Sequence, residues 1–290
     1  MKRLLAEVNI SEGRDTVLIE KVLEALKAHN VDIIDVDSEP NHNRTVFTYI
    51  GEPEVVLEGT KSLVDRAVEL IDMTKHTGSH PRIGAVDVVP FVPIKEVTIE
   101  EALEVARRFG KFLGGLGVPV YYYEEAATRP ERTSLVRIRK GQYEALGEKM
   151  TQEEWRPDEG PFEFVPKSGA TVTGVRFPLV AFNVNLKTDD LEVCKKIVKA
   201  IRGATGGYTY VRAITLPLEG QSMTQISMNL VNYEKTPIHR VFETIKSEAA
   251  SYGIVVESTE LVGPVPLLAL KDVLDHYLQA HSFSMDQIYS

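Results

Sequence analysis

A histidine and an arginine two residues apart lie in a short loop that the sequence places between a helix and a strand. His80 and Arg82 belong to the segment 77–87, which has glycine at positions 78 and 84 and proline at position 81. Proline disfavours helical geometry in the residue before it, so we expect His80 to be extended and presented by the loop. Histidine can transfer protons near neutral pH and arginine can bind an anion. The segment is a candidate catalytic loop, although glycine and proline also serve turn geometry alone.

Other polar residues could assist this loop. Asp37 lies in a predicted strand and Asp87 begins another, where a carboxylate must be solvated, hydrogen-bonded or paired. Asn43 and Arg44 lie at a predicted hairpin, where asparagine also suits the turn itself. Their residue types leave ligand binding and structural support both open.

A proline-stiffened aromatic segment is a candidate binding loop. Rigid apolar walls with a few polar groups suit a flat heteroaromatic ligand. The segment consists of Gly160, Pro161, Phe162, Glu163, Phe164, Val165, Pro166, Lys167, Ser168 and Gly169.

Three other chemistries are not favoured. His76 and His80 have the spacing of a helical metal site, but the glycine and proline of the loop argue against a continuous helix there. Cys194 lies on the predicted buried face of a helix, which does not suit a nucleophile. The glycine-rich segment 203–207 follows a helix, whereas phosphate loops follow a strand. We therefore predict no metal ion, thiol nucleophile or phosphate loop.

Composition predicts a soluble globular protein. The 290 residues are 43% hydrophobic and 26% charged, and the formal net charge of -9 argues against a nucleic-acid or anionic-membrane partner. A single cysteine excludes an intramolecular disulfide and fits a reducing compartment. No stretch is long enough to span a bilayer, so we expect a cytoplasmic location.

The predicted elements repeat one order twice. Strands are predicted at 5–10, 31–36, 44–50 and 86–94, with a helix after the first and third, which is a βαββαβ order. A capping-box pattern at Thr98 begins another helix, an added strand follows at 118–123, and 124–174 is predicted to be loop with a short helix near 142–149. In the second half, strands are predicted at 178–186, 211–218, 221–231 and 254–262, and helix caps near Thr188 and at Thr236.

The predicted fold is therefore α+β, with two tandem ferredoxin-like subdomains and a ligand cleft between them. We place the subdomains at residues 1–177, which include His80, and 178–290. Such units lay their helices on one face of an antiparallel sheet.

Several motifs in order along the chain resemble glutamate formiminotransferase, the formiminotransferase half of formiminotransferase-cyclodeaminase, up to about Tyr277. The motifs are Val8-Asn9-Ile10-Ser11-Glu12-Gly13, Asp35-Val36-Asp37, Asn43-Arg44-Thr45-Val46, His80-Pro81-Arg82-Ile83-Gly84-Ala85-Val86-Asp87, Gly169-Ala170-Thr171 and Ala181-Phe182-Asn183-Val184-Asn185-Leu186.

This resemblance implies transfer of a formimino group from N-formimino-L-glutamate to tetrahydrofolate in histidine degradation, by a homodimer. It places the catalytic histidine at His80 and the folate-contacting loop at 160–169. Within the same motifs, Asn183 is a further candidate substrate contact.

The chemistry of the transfer suggests secondary roles. Histidine can take the proton of the attacking folate nitrogen and return one to the departing glutamate amine. Asp37 could keep the amidine charged, and Arg44 or Arg82 could bind a glutamate carboxylate. Two alternatives stay open: transfer of a formyl group between 5-formyltetrahydrofolate and glutamate, and a folate- or amino-acid-binding module without catalysis.

Overall fold

The chain divides into two compact units, and each is described by itself. The structure is a computed structural model that describes residues 1–218, 220–280 and 282–288. The first unit comprises Met1–Arg176, and the second begins at Phe177.

Sequence signals at the helix ends define the first unit's main helices. The side chain of Asp15 accepts hydrogen bonds from the first amides of α1, and Pro53 occupies the first position of α2. Thr98 and Glu101 form the predicted capping box of α3. The elements are β1 (Arg3–Ile10), α1 (Thr16–Lys27), β2 (Asp32–Glu39), β3 (Arg44–Gly51), α2 (Pro53–Leu70), β4 (Val86–Lys95), α3 (Ile99–Gly115), β5 (Val120–Glu124), α4 (Leu135–Ile138), α5 (Leu146–Lys149) and β6 (Thr171–Val175).

The first unit's sheet has the order β2-β3-β1-β4-β6-β5. Its first four strands are antiparallel and carry the predicted ferredoxin-like order, and their helices cover a core that includes Phe47, Phe91 and Phe109. The last two strands extend the sheet in parallel, with β6 between β4 and β5. The sheet is thus mixed, whereas the sequence predicted an antiparallel one.

Strand β6 corrects the prediction that 124–174 is loop. All five of its residues are buried, and the polar–apolar alternation of Thr171, Val172 and Thr173 ends after three residues at a glycine. Position 174 requires glycine, because a Cβ there would come within 2.3 Å of the Tyr123 carbonyl oxygen. Glycine in turn weakens the strand pattern of the sequence. A short, uniformly buried strand containing glycine is difficult to distinguish from loop.

A second hydrophobic cluster lies on the side of the sheet where β5, β6 and the long connection meet. Tyr121, Trp155 and Val172 are among its buried members. Arg132 is fully buried beside it, with Nη1 2.8 Å from the Asp158 carboxylate and its guanidinium 5.2 Å from the centre of the Tyr121 ring. The connection is therefore a packed layer held by a buried ion pair.

The second unit has the same βαββαβ order and a four-stranded antiparallel sheet, with the order β10 (Val256–Val262), β7 (Val180–Leu186), β9 (Met223–Leu230) and β8 (Val211–Leu218). The fold class predicted from the sequence, two tandem ferredoxin-like subdomains, is confirmed. The elements are β7 (Val180–Leu186), α6 (Leu191–Ile201), β8 (Val211–Leu218), β9 (Met223–Leu230), α7 (Ile238–Ser251), β10 (Val256–Val262) and α8 (Leu267–Leu278).

Two helix caps differ from their predicted positions. Asp190 caps α6, because its carboxylate accepts from the amides of residues 192 and 193, and Thr188 instead accepts from the Asp190 amide. Pro237 is the capping residue of α7, while Thr236 is buried. Glu219, predicted to join β8 to β9, lies outside the described residues. Within the described ranges, no helix is both long and apolar enough to cross a membrane.

The buried Arg132 ion pair gives a stability prediction. Arg132→Ala should reduce the free energy of unfolding by about 3 kcal/mol or more, because it leaves the Asp158 carboxylate uncompensated among buried groups. Urea unfolding followed by the fluorescence of Trp155, the single tryptophan, measures the loss. The matched control is Arg137→Ala. The Arg137 side chain is 55% exposed, so its removal should reduce the free energy of unfolding by under about 1 kcal/mol. Equal losses in the two variants would contradict the assignment.

Candidate active site

The His80 loop packs against the hairpin between β2 and β3. A Cβ at Gly78 would come within 2.3 Å of the His42 carbonyl oxygen, so this approach requires glycine. The hydroxyl of Ser79 donates to the Asn41 carbonyl at 3.2 Å. The ring centroids of His42 and His80 lie 6.0 Å apart. The hairpin thus fixes where the loop presents His80.

Asn43 connects the same hairpin to two other segments. It is buried at φ +53°, a conformation that asparagine tolerates. Its side-chain oxygen accepts from the Gly13 amide, and its side-chain nitrogen donates to the Thr77 carbonyl, both at 2.9 Å. Both ends of the amide are therefore used within the protein, which gives Asn43 a structural function.

The electrostatic environment of His80 is basic. Its side chain is half-buried, and neither ring nitrogen has a hydrogen-bond partner in the part of the chain that the structure describes. Burial first, then the charges of Arg44 and Arg139, followed by His42 and Arg82, lower the pKa of His80 from its usual 6.5 to about 3. This environment places the pKa of His80 below the near-neutral range that the sequence suggested. With its pKa lowered in this way, the His80 ring is neutral near pH 7.

Arg82 is held by its protein neighbours. It is buried, and its two terminal nitrogens donate to the two Glu144 carboxylate oxygens at 2.9 and 2.6 Å. Its Nε donates to His76 Nδ1 at 3.2 Å, and Nη1 also reaches Gln142 at 3.0 Å. This network lowers the pKa of Glu144 and ties the loop to the segment between α4 and α5. The contacts indicate a supporting function for Arg82.

Asp87 and Arg139 form another ion pair near the loop, in which Asp87 is buried and Arg139 is partly buried. One oxygen of Asp87 accepts from the Ile83 amide at 2.9 Å, and the other pairs with Arg139 Nη2. Burial raises the pKa of Asp87, and the charge of Arg139 opposes this shift. Asp87 thus orients both the loop backbone and an arginine that acts electrostatically on His80.

The segment 160–169 joins the His80 loop through its glycine end. A Cβ at Gly169 would come within 2.2 Å of the Ile83 carbonyl oxygen, and one at Gly84 within 2.2 Å of the Ala170 carbonyl oxygen. Ala85 donates its amide to Ser168 at 2.8 Å, and Ala170 donates to Ile83 at 3.0 Å. The structure therefore brings the two segments chosen from the sequence into direct backbone contact.

The aromatic part of segment 160–169 is partly open. Phe164 packs beside Tyr143 at 5.5 Å between ring centres, and the Tyr143 hydroxyl donates to the Pro166 carbonyl at 2.7 Å. Phe162 is exposed and lies under the Arg156 guanidinium at 5.5 Å. Exposed aromatic surface beside a fixed backbone suits stacking against a flat ring.

The remaining candidates have different environments. Asp37 is exposed on β2, where it pairs in register with Val46, and none of the groups that act most strongly on His80 is a carboxylate. Arg44 is partly buried, with Nη2 3.8 Å from the Glu39 carboxylate. Asn183 lies on β7 of the second unit, where it donates to Glu260 at 3.1 Å.

His76 is occupied by hydrogen bonds. Nδ1 accepts from Arg82, and Nε2 lies 3.1 Å from the Asn43 carbonyl oxygen, which fixes the tautomer with hydrogen on Nε2. Burial lowers the pKa of His76 and keeps the ring neutral. Across the described ranges, no group of three or more His, Cys, Asp or Glu side chains is arranged to hold a metal ion.

Sequence reasoning missed Arg139 and Glu144. Both lie in the connection between β5 and β6, where periodicity is weak. The available signal was the buried Asp87, since a buried carboxylate requires a cationic or hydrogen-bonding partner. The chain has many arginines, and only the fold shows that Arg139 is that partner.

The glycine contact gives a prediction with a matched control. Gly169→Ala should abolish most activity, because the new methyl group collides with the Ile83 carbonyl and displaces the His80 loop. Gly117→Ala imposes a similar positive-φ cost, about 1 kcal/mol, with nothing within 4 Å of the new methyl group. Turnover assays and urea unfolding of both variants separate local collision from backbone strain. Equal activity in the two variants would show that the contact does not position the site.

The basic environment predicts the titration of His80. NMR of the ring in the unliganded protein should show it neutral from pH 8 to pH 5, with a pKa of about 3, and His80→Asn identifies its signal. The unfolded chain should protonate this residue near pH 6.5. Protonation of His80 in the unfolded chain therefore lowers the free energy of unfolding as pH falls from about 6.5 towards 3. Above about pH 6.5 this contribution is absent. A midpoint between pH 6 and 7 in the folded protein would contradict the described environment.

Comparison with known proteins follows the two units. The N-terminal subdomain of the formiminotransferase domain matches residues 3–176, and the formiminotransferase domain matches residues 181–288. A glutamate formimidoyltransferase of Streptococcus pyogenes serotype M1 is 46% identical over 277 residues, which cover 95% of this chain and 93% of that protein. A glutamate formimidoyltransferase of Thermoplasma acidophilum is 45% identical, over 97% of this chain and 93% of that protein.

A longer relative has the same similarity. The formimidoyltransferase-cyclodeaminase of Mus musculus is 44% identical over 276 residues, which cover 93% of this chain and 51% of that protein. The chain therefore belongs to the formiminotransferase family.

Proposed function

We propose that this protein transfers the formimino group of N-formimino-L-glutamate to tetrahydrofolate, giving L-glutamate and 5-formiminotetrahydrofolate. The family and the names of its relatives support this substrate pair. The observation that carries the assignment of the site is the backbone contact between the His80 loop and segment 160–169. It combines a proton-transfer group with a binding surface for a flat ring.

His80 acts as a proton relay in this proposal. N5 of tetrahydrofolate attacks the formimino carbon, and the C–N bond to glutamate then breaks. Neutral His80 accepts the proton released by N5 and donates a proton to the departing glutamate nitrogen. A low pKa makes protonated His80 an effective donor in the second step, and its basic neighbours keep it neutral for the first.

Segment 160–169 binds the folate. Its aromatic residues provide stacking surface, while Ser168 and Gly169 fix its end against the His80 loop. Tetrahydrofolate is a co-substrate here, and no step of the proposed reaction uses a metal ion.

The other sequence-based candidates divide into two groups. Arg82 and Asn43 support the loop, because their polar groups are engaged by the protein. Arg44 and Asp37 remain candidates for substrate contact: Arg44 acts on His80, and Asp37 is exposed and could hold the amidine in its charged form. Asn183 is proposed as a contact from the second subdomain.

The proposed setting follows the family. The subdomain predicted at residues 1–177 carries the catalytic histidine, and the second subdomain is predicted at residues 178–290. We place the enzyme in the cytoplasm as a homodimer acting in histidine degradation. The negative net charge is consistent with small-molecule partners and opposes binding of nucleic acid or anionic membranes.

The relay gives a kinetic prediction. His80→Asn should lower kcat by about 10²- to 10⁴-fold, because general acid–base catalysis contributes a factor of that order. Formation of 5-formiminotetrahydrofolate measures turnover, and tetrahydrofolate binding shows that the variant keeps its site. His29→Asn is the control and should keep the parent kcat, since His29 hydrogen-bonds Ser62 of α2 at 2.7 Å, away from the His80 loop. Turnover of His80→Asn at the parent rate would overturn the catalytic assignment.

The same assay distinguishes the transferred group. The parent protein is offered tetrahydrofolate with formiminoglutamate and, separately, 5-formyltetrahydrofolate with glutamate. Reaction of the first pair supports the proposal, and reaction of the second pair alone identifies a formyltransferase. Folate binding without either reaction would indicate a binding module.

A further inference from the structure

We propose that Arg44 and Arg139 form a carboxylate-binding pair beside His80, which holds a carboxylate of the amino-acid substrate. This inference rests on the proposed function, since it assigns a ligand group within the same site. Arg139 has the carboxylate-binding role that the sequence suggested for Arg82. The pair joins β3 to the connection between β5 and β6, two segments that are far apart in the chain.

Unpartnered donors carry the argument. The Nε atoms of Arg44 and Arg139 are both buried and have no hydrogen-bond partner among the described residues. A buried donor without a partner costs free energy, and more so when the group is charged. Arg44 lies 3.8 Å from Glu39, which also pairs with His42 beside the His80 ring. Arg139 pairs with Asp87, which accepts from the Ile83 amide of the His80 loop. Two such donors around the His80 loop indicate a position that a ligand's acceptor atoms fill.

The protein's own carboxylates position these arginines without occupying their Nε atoms. Asp87 pairs with Nη2 of Arg139, and Glu39 lies 3.8 Å from Nη2 of Arg44 and also contacts His42. Each guanidinium is thus held at one nitrogen and keeps another as a donor. An arriving carboxylate would meet two pre-positioned donors, which reduces the entropic cost of binding.

Arg82 provides the contrast. It donates through Nε and both terminal nitrogens to His76, Gln142 and Glu144. A ligand would have to displace the Glu144 carboxylate to reach it. Of the three arginines that act on His80, Arg82 is therefore the one already satisfied by the protein.

Binding at this pair would change the state of His80. The groups acting on the ring include Arg44, Arg82, Arg139 and His42, and their carboxylate partners are Glu39, Asp87 and Glu144. A ligand carboxylate adds a negative charge beside the ring and favours its protonated form. Substrate binding would thus make His80 a better acceptor for the folate proton at the moment when it is needed.

Kinetic constants for each substrate test the pair. Arg139→Gln and Arg44→Gln should each raise KM for formiminoglutamate about 10- to 100-fold, the effect of losing a hydrogen bond to a charged group. KM for tetrahydrofolate should stay within about twofold of the parent value. Arg137→Gln is the control, because Arg137 lies on α4, whose C-cap is Arg139, and its side chain is 55% exposed. Unchanged KM for formiminoglutamate, or an increase confined to tetrahydrofolate, would overturn the assignment.

A second measurement needs no variant and no turnover. The disulfonate analogue of glutarate, which has no transferable group, is added to the parent protein while the His80 ring is titrated by NMR. Its sulfonates stay ionised near pH 3, where a carboxyl with an ordinary pKa of about 4.3 would be protonated. Saturating disulfonate should raise the His80 midpoint by about one pH unit or more, as expected for an added nearby negative charge. An unchanged midpoint would overturn the pair. A raised midpoint in a protein that does not turn over formiminoglutamate would retain the pair and reject the proposed function.

Discussion

The site depends on one close backbone contact, between Gly84 in the His80 loop and Gly169 at the end of segment 160–169. A methyl group at either position would lie 2.2 Å from a carbonyl oxygen of the opposite segment. The contact is continued by hydrogen bonds that join Ala85 to Ser168 and Ala170 to Ile83. Since β6 begins two residues after Gly169 and β4 two residues after Gly84, the parallel pairing of these strands holds the contact in place. The extension of the ferredoxin-like sheet therefore brings the two candidate segments together.

A second constraint is the concentration of arginine around a half-buried histidine. Arg44, Arg82 and Arg139 come from three separate segments, and each is held by a different carboxylate. Burial and these charges keep His80 neutral in the absence of ligand. In the proposed mechanism, such a ring becomes a good proton acceptor only with an anionic ligand beside it, and this would connect substrate recognition to proton transfer.

The sequence predicted regular elements well where local chemistry determines them. The Thr98 capping box, Pro53 at the start of α2 and the alternation in β3 all correspond to observed elements. It missed β6, because the alternation of Thr171, Val172 and Thr173 covers only three residues and Gly174 suggests a turn. The residue types of the candidate loops were visible in the sequence, and the family resemblance selected His80. The partners of Arg82 and Asp87 were not visible, because Glu144 and Arg139 meet them only through long-range folding.

Hydrogen exchange in the presence and absence of tetrahydrofolate tests most directly whether the two segments form one site. The account predicts that amides in 78–85 and in 160–169 become slower to exchange together when folate binds, because the Gly84–Gly169 contact couples them. The same experiment on His80→Asn should give the same pattern, since the coupling is a property of the backbone. If folate binding left exchange unchanged in either segment, the account would be contradicted.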